Sequence, residues 1–431
     1  MIDHRKSWAA ARLLLILLLV FSATPSRAAE YAYPIPSAVE ATIISTPPEY
    51  QAKLPERIQV KEYQTITIFP ERKVPEVFWY NRELRYSVAY HDQQAPLIFV
   101  IAGTGAGYDS AKMKLLQRAF FQAGFHVICL SSPTHPNFIV AASSSGLPGD
   151  SRRDAADLYQ VMEKLWQQVK HPNRVTKFLL AGYSLGGAEA AFVAQLDEEK
   201  KVFNFEKVLM LNPPVNIYDS AVRIDRMLTD NIPGGLDHFN EFYNHLMHRI
   251  TSNYARGDFV DLSYEFFFHA YNKVLPDPNE GKAVIGLAFR ISLANMLFAS
   301  DVVTNAGYIV PKNLILFKTD SLTNYYKVAC QCSFADYARD LLYAAARKQD
   351  PGLSFQEFIA RNSLKAITDY LHQSPKIGLV TNADDIILES KDIVWFKEVF
   401  GNRAKIWPRG GHCGNLAYSD NVTYMIDFFK E

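Results

Sequence analysis

Three residue types that can act together as nucleophile, base and orienting acid occur in settings that suit those roles. Ser184 stands in "LLAGYSLGGAEAA", Leu179 to Ala191, with Gly182 and Gly186 two residues to either side. A serine hydroxyl is a weak nucleophile at neutral pH; it needs a base, and the base needs an acid to orient it. His412 stands in "PRGGHCGNLAY", and Asp384 and Asp385 stand in "LVTNADDIIL". The chain order is serine, acid, histidine. The apolar run before Ser184 and the alanine-rich run after it predict a strand that turns sharply into a helix. Glycine fits beside such a turn because a side chain there would meet neighbouring backbone. The turn lifts the hydroxyl clear of the sheet, and the free N–H groups of the following helix point at the same place.

These residues need a scaffold, and the pattern of the chain supplies one. "PLIFVIAG", "FHVICLSSP", "KFLLAGYS", "KVLMLNPP" and "PKIGLVTN" are continuous apolar runs, as expected of parallel strands covered on both faces. Helix-like segments lie between them at 111–123, 150–169 and 186–196. Alternation of this kind predicts a doubly wound, mostly parallel α/β sheet. Two stretches ahead of it, 57–69 and 84–90, alternate apolar and polar residues and predict half-buried antiparallel strands. The alternation stops at Pro214, helical pattern fills 216–372, and the sheet pattern then resumes. The domain reading is therefore a sheet core of 56–215 and 373–431 interrupted by a helical insertion of 216–372. Residues 29–55, rich in proline, serine and alanine, read as a lead-in segment without a clear period.

The charge is balanced, 45 basic against 45 acidic residues, so neither a nucleic-acid surface nor an acidic tail is implied. The first 28 residues read as an export signal: His4, Arg5 and Lys6, then the apolar "LLLILLLVF", then small residues before Ala29. That run falls short of the roughly 20 residues needed to span a bilayer. Cleavage after Ala28 and a periplasmic or secreted location are expected; membrane contact would arise only through this segment, if it is retained. No other segment reads as a membrane span. Export permits disulfides, but Cys330 and Cys332 form C-x-C rather than a redox or zinc spacing, and free, buried thiols are the simplest expectation for all four cysteines.

Gly182-Tyr183-Ser184-Leu185-Gly186, Asp384 and His412, on this strand order, resemble the catalytic constellation of the α/β-hydrolase superfamily. The resemblance covers about 57–431, with the helical insertion where that family commonly carries a cap. It implies the α/β-hydrolase fold and a serine hydrolase that needs no cofactor and no metal. A carboxylic ester is the leading substrate class, with small or lipid-like acyl groups; an amide hydrolase or a non-catalytic binding protein on the same scaffold are the alternatives. Asp384 is the preferred acid because "DDII" fits D-x-aliphatic-aliphatic best, with Asp385 the alternative. The oxyanion donors implied are the N–H groups of Leu185 and of Thr104, in the loop "AGTGAGYDS"; Ala102 stands where the family often has histidine. Gly103, Gly105, Tyr183 and His135 are expected around the substrate.

Competing readings are weaker. "GTGAG" lacks the third glycine of a dinucleotide loop, having Tyr108 there, and neither glycine-rich stretch continues into the Lys-Ser or Lys-Thr of a P-loop. His238, His245 and His248 could share a helix face and, with Glu241, hold a metal; a polar helix face explains them as well. The aromatic stretch Tyr264 to Tyr271, with Phe267 and Phe268, is a candidate acyl-chain lining; packing within the insertion is its ordinary role.

Overall fold

A computed structural model gives the structure of residues 31–58, 61–168, 174–252 and 278–431. The export segment and the aromatic stretch Tyr264 to Tyr271, including Phe267 and Phe268, lie outside the described residues.

Eight strands form one sheet: β1 Lys61–Ile66, β2 Leu84–Ala89, β3 Ala95–Ile101, β4 His126–Leu130, β5 Val175–Tyr183, β6 Lys207–Leu211, β7 Ile377–Asn382 and β8 Ala404–Trp407. Their spatial order is β1-β2-β4-β3-β5-β6-β7-β8. β1 and β2 pair antiparallel, as does β2 with β4; every later pairing is parallel. The antiparallel strands β1 and β2 are the alternating stretches of the sequence, and β3 to β7 are its continuous apolar runs, as two-sided burial requires; β8, at the sheet's edge, is short and only partly buried.

The period of two is visible in β3. Leu97, Phe99 and Ile101 join a core shared with Leu158 and Met162 of the helix Ser151–Gln167 and with Ala190 and Val193 of the helix Leu185–Lys200. On the other face lie the helices Ala111–Gln122 and Ser419–Lys430, whose Phe120 and Phe429 meet edge to face with ring centres 5.5 Å apart. From β3 the chain crosses first to β4 on one side and then to β5 on the other. The order therefore reverses between β3 and β5, and open α/β sheets bind ligands outside the carboxyl ends of the strands at such a point.

Between β6 and β7 the chain forms helices, among them Ile217–Thr229, Phe239–Ser252 and Pro278–Thr304. They have a core of their own, with Leu293, Leu297, Phe298, Phe334 and Phe358, which also takes in Phe78 and Val140 of the sheet region. A buried ion pair fixes its interior: Arg290 donates to Asp225 Oδ1 through Nε at 2.9 Å and Nη2 at 2.7 Å. The other Asp225 oxygen accepts the N–H of Phe334 at 3.1 Å. Leu364, Ile367 and Leu371 pack into the sheet's core instead, so the end of the expected 216–372 insertion belongs to the sheet layer. Among the described residues one helix is long and apolar enough to cross a membrane, which corrects the expectation that no segment beyond the first 28 residues would be. It is Glu280–Thr304, and 61% of its most apolar window is buried inside the protein, as in a core helix.

The segment read as an unstructured lead-in is part of the fold. Ser37 accepts the N–H of Glu40 at 3.3 Å and opens the helix Ala38–Ile44, which packs on the loop carrying His412. All four cysteines are free; Cys129 and Cys413 are buried, Cys330 and Cys332 half-buried.

Candidate active site

Ser184 sits between β5 and the helix Leu185–Lys200 with φ 54° and ψ −126°, a conformation side chains rarely adopt. Its N–H donates to the carbonyl of Leu211 on β6 at 2.8 Å, and its carbonyl accepts the N–H of Gly187 at 2.9 Å. These bonds hold the turn against its strain. The flanking glycines follow from close approach: a Cβ on Gly182 would collide with the carbonyl of Gly186, and one on Gly186 with the carbonyls of Ile101 and Ala102. The serine is thus held over the carboxyl ends of β3 and β5, where the strand order reverses.

His412 lies in the loop after β8. Its Nε2 is 2.8 Å from Ser184 Oγ. Its Nδ1 is 3.0 and 3.1 Å from the two oxygens of Asp385. The expected acid, Asp384, is therefore corrected to its neighbour. Asp385 follows β7 with its carboxylate fully buried, accepting also from Asn212 Nδ2 at 2.9 Å and from the N–H of Ile387 at 3.2 Å. Asp384 turns the other way and accepts the backbone N–H groups of Gly410 at 3.2 Å and Gly411 at 3.0 Å. The turn after β7 decides which carboxylate faces the imidazole, and sequence spacing does not distinguish them.

Because the Asp385 carboxylate accepts at Nδ1, that nitrogen carries the proton and Nε2 is left to accept from the serine. Burial works against the imidazolium; the Cys413 sulfur and the Asp385 carboxylate work for it, and the net effect raises the His412 pKa above its ordinary value. A further hold comes from Thr42, whose Oγ1 accepts the N–H of His412 at 2.9 Å while donating to Ala38 at 2.7 Å. A Cβ on Gly411 would collide with the carbonyl of Ala38, so glycine lets the loop approach that helix.

This strand order, with a strained serine after the fifth strand, an acid after the seventh and a histidine after the eighth, decides the architecture. The chain has the α/β-hydrolase fold.

Within this fold, Ser184 lines two of the cavities among the described residues. The first, about 50 Å³, is almost wholly apolar; Thr104, Leu185, Ile217, Phe289, Leu293 and Met296 are among its walls. The second, about 430 Å³, is lined by His412 and Cys413 together with Gly103, Thr104, Tyr183 and Lys112. Gly105 and His135 line a third cavity of about 290 Å³ that lacks Ser184. His135 caps the helix Pro136–Ala141, its Nδ1 accepting the N–H of Asn137 at 3.2 Å. Burial pushes its pKa down to about 4, so it is neutral. Tyr183 is buried, 3.4 Å from Ser110 through its hydroxyl. His238 ends a short turn just before the helix Phe239–Ser252 and pairs with Glu241 of that helix at 2.9 Å in an exposed contact, and no group of metal ligands occurs among the described residues. Sequence reasoning missed Thr42 and Asn212.

No family model matches the chain, and no curated protein matches it. Solved structures similar to it include an esterase of Pyrococcus furiosus, 9% identical, with a TM-score of 0.41, covering 86% of this chain and 90% of that one. Est1E of Butyrivibrio proteoclasticus is 12% identical, with a TM-score of 0.36, covering 81% of this chain and 96% of its own. An α/β-hydrolase fold protein of Nakamurella multipartita is 12% identical, with a TM-score of 0.37, covering 85% of this chain and 98% of its own.

Proposed function

We propose that the protein is an exported serine hydrolase that cleaves carboxylic esters. The observation that carries this reading is the unbroken chain from Ser184 Oγ through His412 to Asp385, with contacts of 2.8 and 3.0 Å. Ser184 Oγ attacks the acyl carbon as His412 Nε2 takes its proton. The C–O bond to the alcohol then breaks, and Nε2 hands the proton to the departing oxygen. Water, activated by the same nitrogen, attacks the acyl-enzyme, and the carboxylic acid leaves as Ser184 recovers its proton.

The negative charge on the tetrahedral oxygen needs donors. Leu185 opens its helix, so its N–H has no carbonyl one turn back to accept it. With the Thr104 N–H it supplies the oxyanion site, a contribution on the order of 10²-fold or more in rate. Because His412 must reach the leaving oxygen, the leaving group belongs in the cavity that His412 lines. The acyl chain belongs in the apolar one. That apolar lining favours an uncharged acyl group, and no cofactor enters the scheme.

The test is labelling with a fluorophosphonate, followed by turnover of p-nitrophenyl esters and of matched anilides. Labelling is expected in the parent protein and absent in Ser184→Ala. Labelling that survives the substitution overturns the assignment; faster turnover of anilides overturns the ester reading alone. Export predicts a mature chain beginning at or near Ala29, read by N-terminal sequencing.

A further inference from the structure

The two cavities that meet at Ser184 differ in charge as well as in size. The apolar one has no charged residue in its wall. The larger one carries Lys112, in the first turn of the helix Ala111–Gln122, and shares its wall with Ser110, Thr42 and His412. No carboxylate lines that cavity among the described residues, and Lys112 makes no ion pair there with a described residue. A helix's first turn disfavours a cation, so the helix itself gives no reason for a lysine at this position. Lys112 is half-buried and lines the cavity that the mechanism assigns to the leaving group.

We infer that Lys112 selects substrates whose leaving group carries an anionic substituent, so that the protein cleaves apolar acyl esters of acidic alcohols. This rests on the hydrolase reading above. A lysine that can swing toward a carboxylate or phosphate acts as a point charge, without the fixed fork of an arginine, and tolerates either anion. A partly exposed pair of this kind is worth up to about fivefold in rate, and salt screens it.

The experiment compares the rate at which Ser184 is phosphonylated by two methyl aryl butylphosphonates. One releases 4-hydroxybenzoate, the other its neutral counterpart 4-hydroxybenzamide. In each, the Ser184 Oγ–P bond forms, the P–O(aryl) bond breaks, and the serine proton passes through His412 Nε2 to the departing phenolate. The ratio of the anionic reagent's rate to the neutral one's, divided by the same ratio with hydroxide alone to remove the difference in leaving-group acidity, is expected to be about three to five at low salt. That ratio should shrink toward one in 0.5 M salt and in Lys112→Gln, and should fall below one in Lys112→Glu. Working with the ratio removes any general loss of folded protein in the variants. A third reagent releasing 4-phosphonophenol separates the two anions; a larger ratio than the carboxylate gives identifies a phosphate-type group as the better fit. A ratio of one or below, or no reaction with the anionic reagent, overturns the inference, as does a ratio that Lys112→Gln leaves unchanged. Failure of a simple fluorophosphonate to label Ser184 instead overturns the hydrolase reading, and this inference with it.

Discussion

Asp384 and Asp385 are adjacent in the chain and hold the same loop from two sides: Asp385 takes the His412 ring at 3.0 Å, and Asp384 takes the N–H of Gly411 at 3.0 Å. One carboxylate sets the proton's position on the imidazole. The other sets where the backbone beneath it runs. Asp385→Asn is therefore expected to lower kcat on the order of 10³-fold to 10⁴-fold, since the wrong tautomer is favoured. Asp384→Asn leaves the imidazole's partner in place and should cost about tenfold or less, because one backbone contact weakens. The two variants assayed on one ester decide it, and the opposite ranking would return the acid role to Asp384.

The same carboxylate sets the pH profile. Burial lowers the His412 pKa; Cys413 and Asp385 raise it and prevail. His412 must be neutral to take the serine proton, so kcat/KM should rise with pH through the pKa of the free enzyme's histidine. Removing the Asp385 charge removes one raising influence. The acid limb of the residual activity in Asp385→Asn should move to lower pH, and a limb that stays put or moves up contradicts this account.

Thr42 reaches His412 from the other end of the chain. Its hydroxyl accepts the histidine's N–H, and only a hydroxyl at that position can. Thr42→Val should lower kcat about fivefold, the effect of one lost hydrogen bond acting on placement. KM for a small ester should hardly move. Thr42→Ser, which keeps the hydroxyl, should recover most of the rate. A valine variant with full kcat would show that the loop holds itself.

These contacts mark what the sequence could and could not tell. The elbow around Ser184 was legible because its glycines answer a local collision. The parallel strands were legible because two-sided burial leaves unbroken apolar runs. The choice between Asp384 and Asp385 was not, since it depends on the direction of a turn. Thr42 was not, since its partner lies at the far end of the sequence and no local pattern links them. The helix that carries Thr42 did leave a trace. "SAVEATII" is a Ser-x-x-Glu start before apolar residues, and Ser37 does cap that helix.

Glu189 is fully buried one turn into the helix behind Ser184, and neither carboxylate oxygen has a hydrogen-bond partner among the described residues. Burial, reinforced by Asp154 and then Asp150, holds its pKa well above the ordinary value. A group with a raised folded pKa stabilises the native state below its unfolded pKa and loses that contribution as pH rises. The protein should therefore lose stability as pH rises from about 4.5 toward the folded-state pKa. Glu189→Gln, neutral at every pH, should flatten that decline and raise Tm at pH 8. Thermal melts across pH 5 to 8 read it directly; an unchanged slope would mean that Glu189 is ionised in the native state.

The apolar cavity makes the last prediction, about acyl length. Its volume of about 50 Å³ exceeds what one water needs but is far from that of a long chain. Each methylene buried there should contribute about 0.8 kcal/mol, close to fourfold in kcat/KM. The profile should climb from acetyl over the first few carbons and then fall once the chain meets Met296 and Leu293, which are buried and cannot yield without disturbing their neighbours. Phe289 is a wall able to change, being half-buried and shared with the larger cavity. Phe289→Ala should shift the optimum to longer acyl groups by a few carbons while lowering the rate on the short ones. A series of p-nitrophenyl esters from acetyl to decanoyl tests both statements. A profile that keeps rising past eight carbons in the parent protein, or an optimum that Phe289→Ala leaves in place, would put the acyl chain elsewhere and leave the Ser184 chemistry standing.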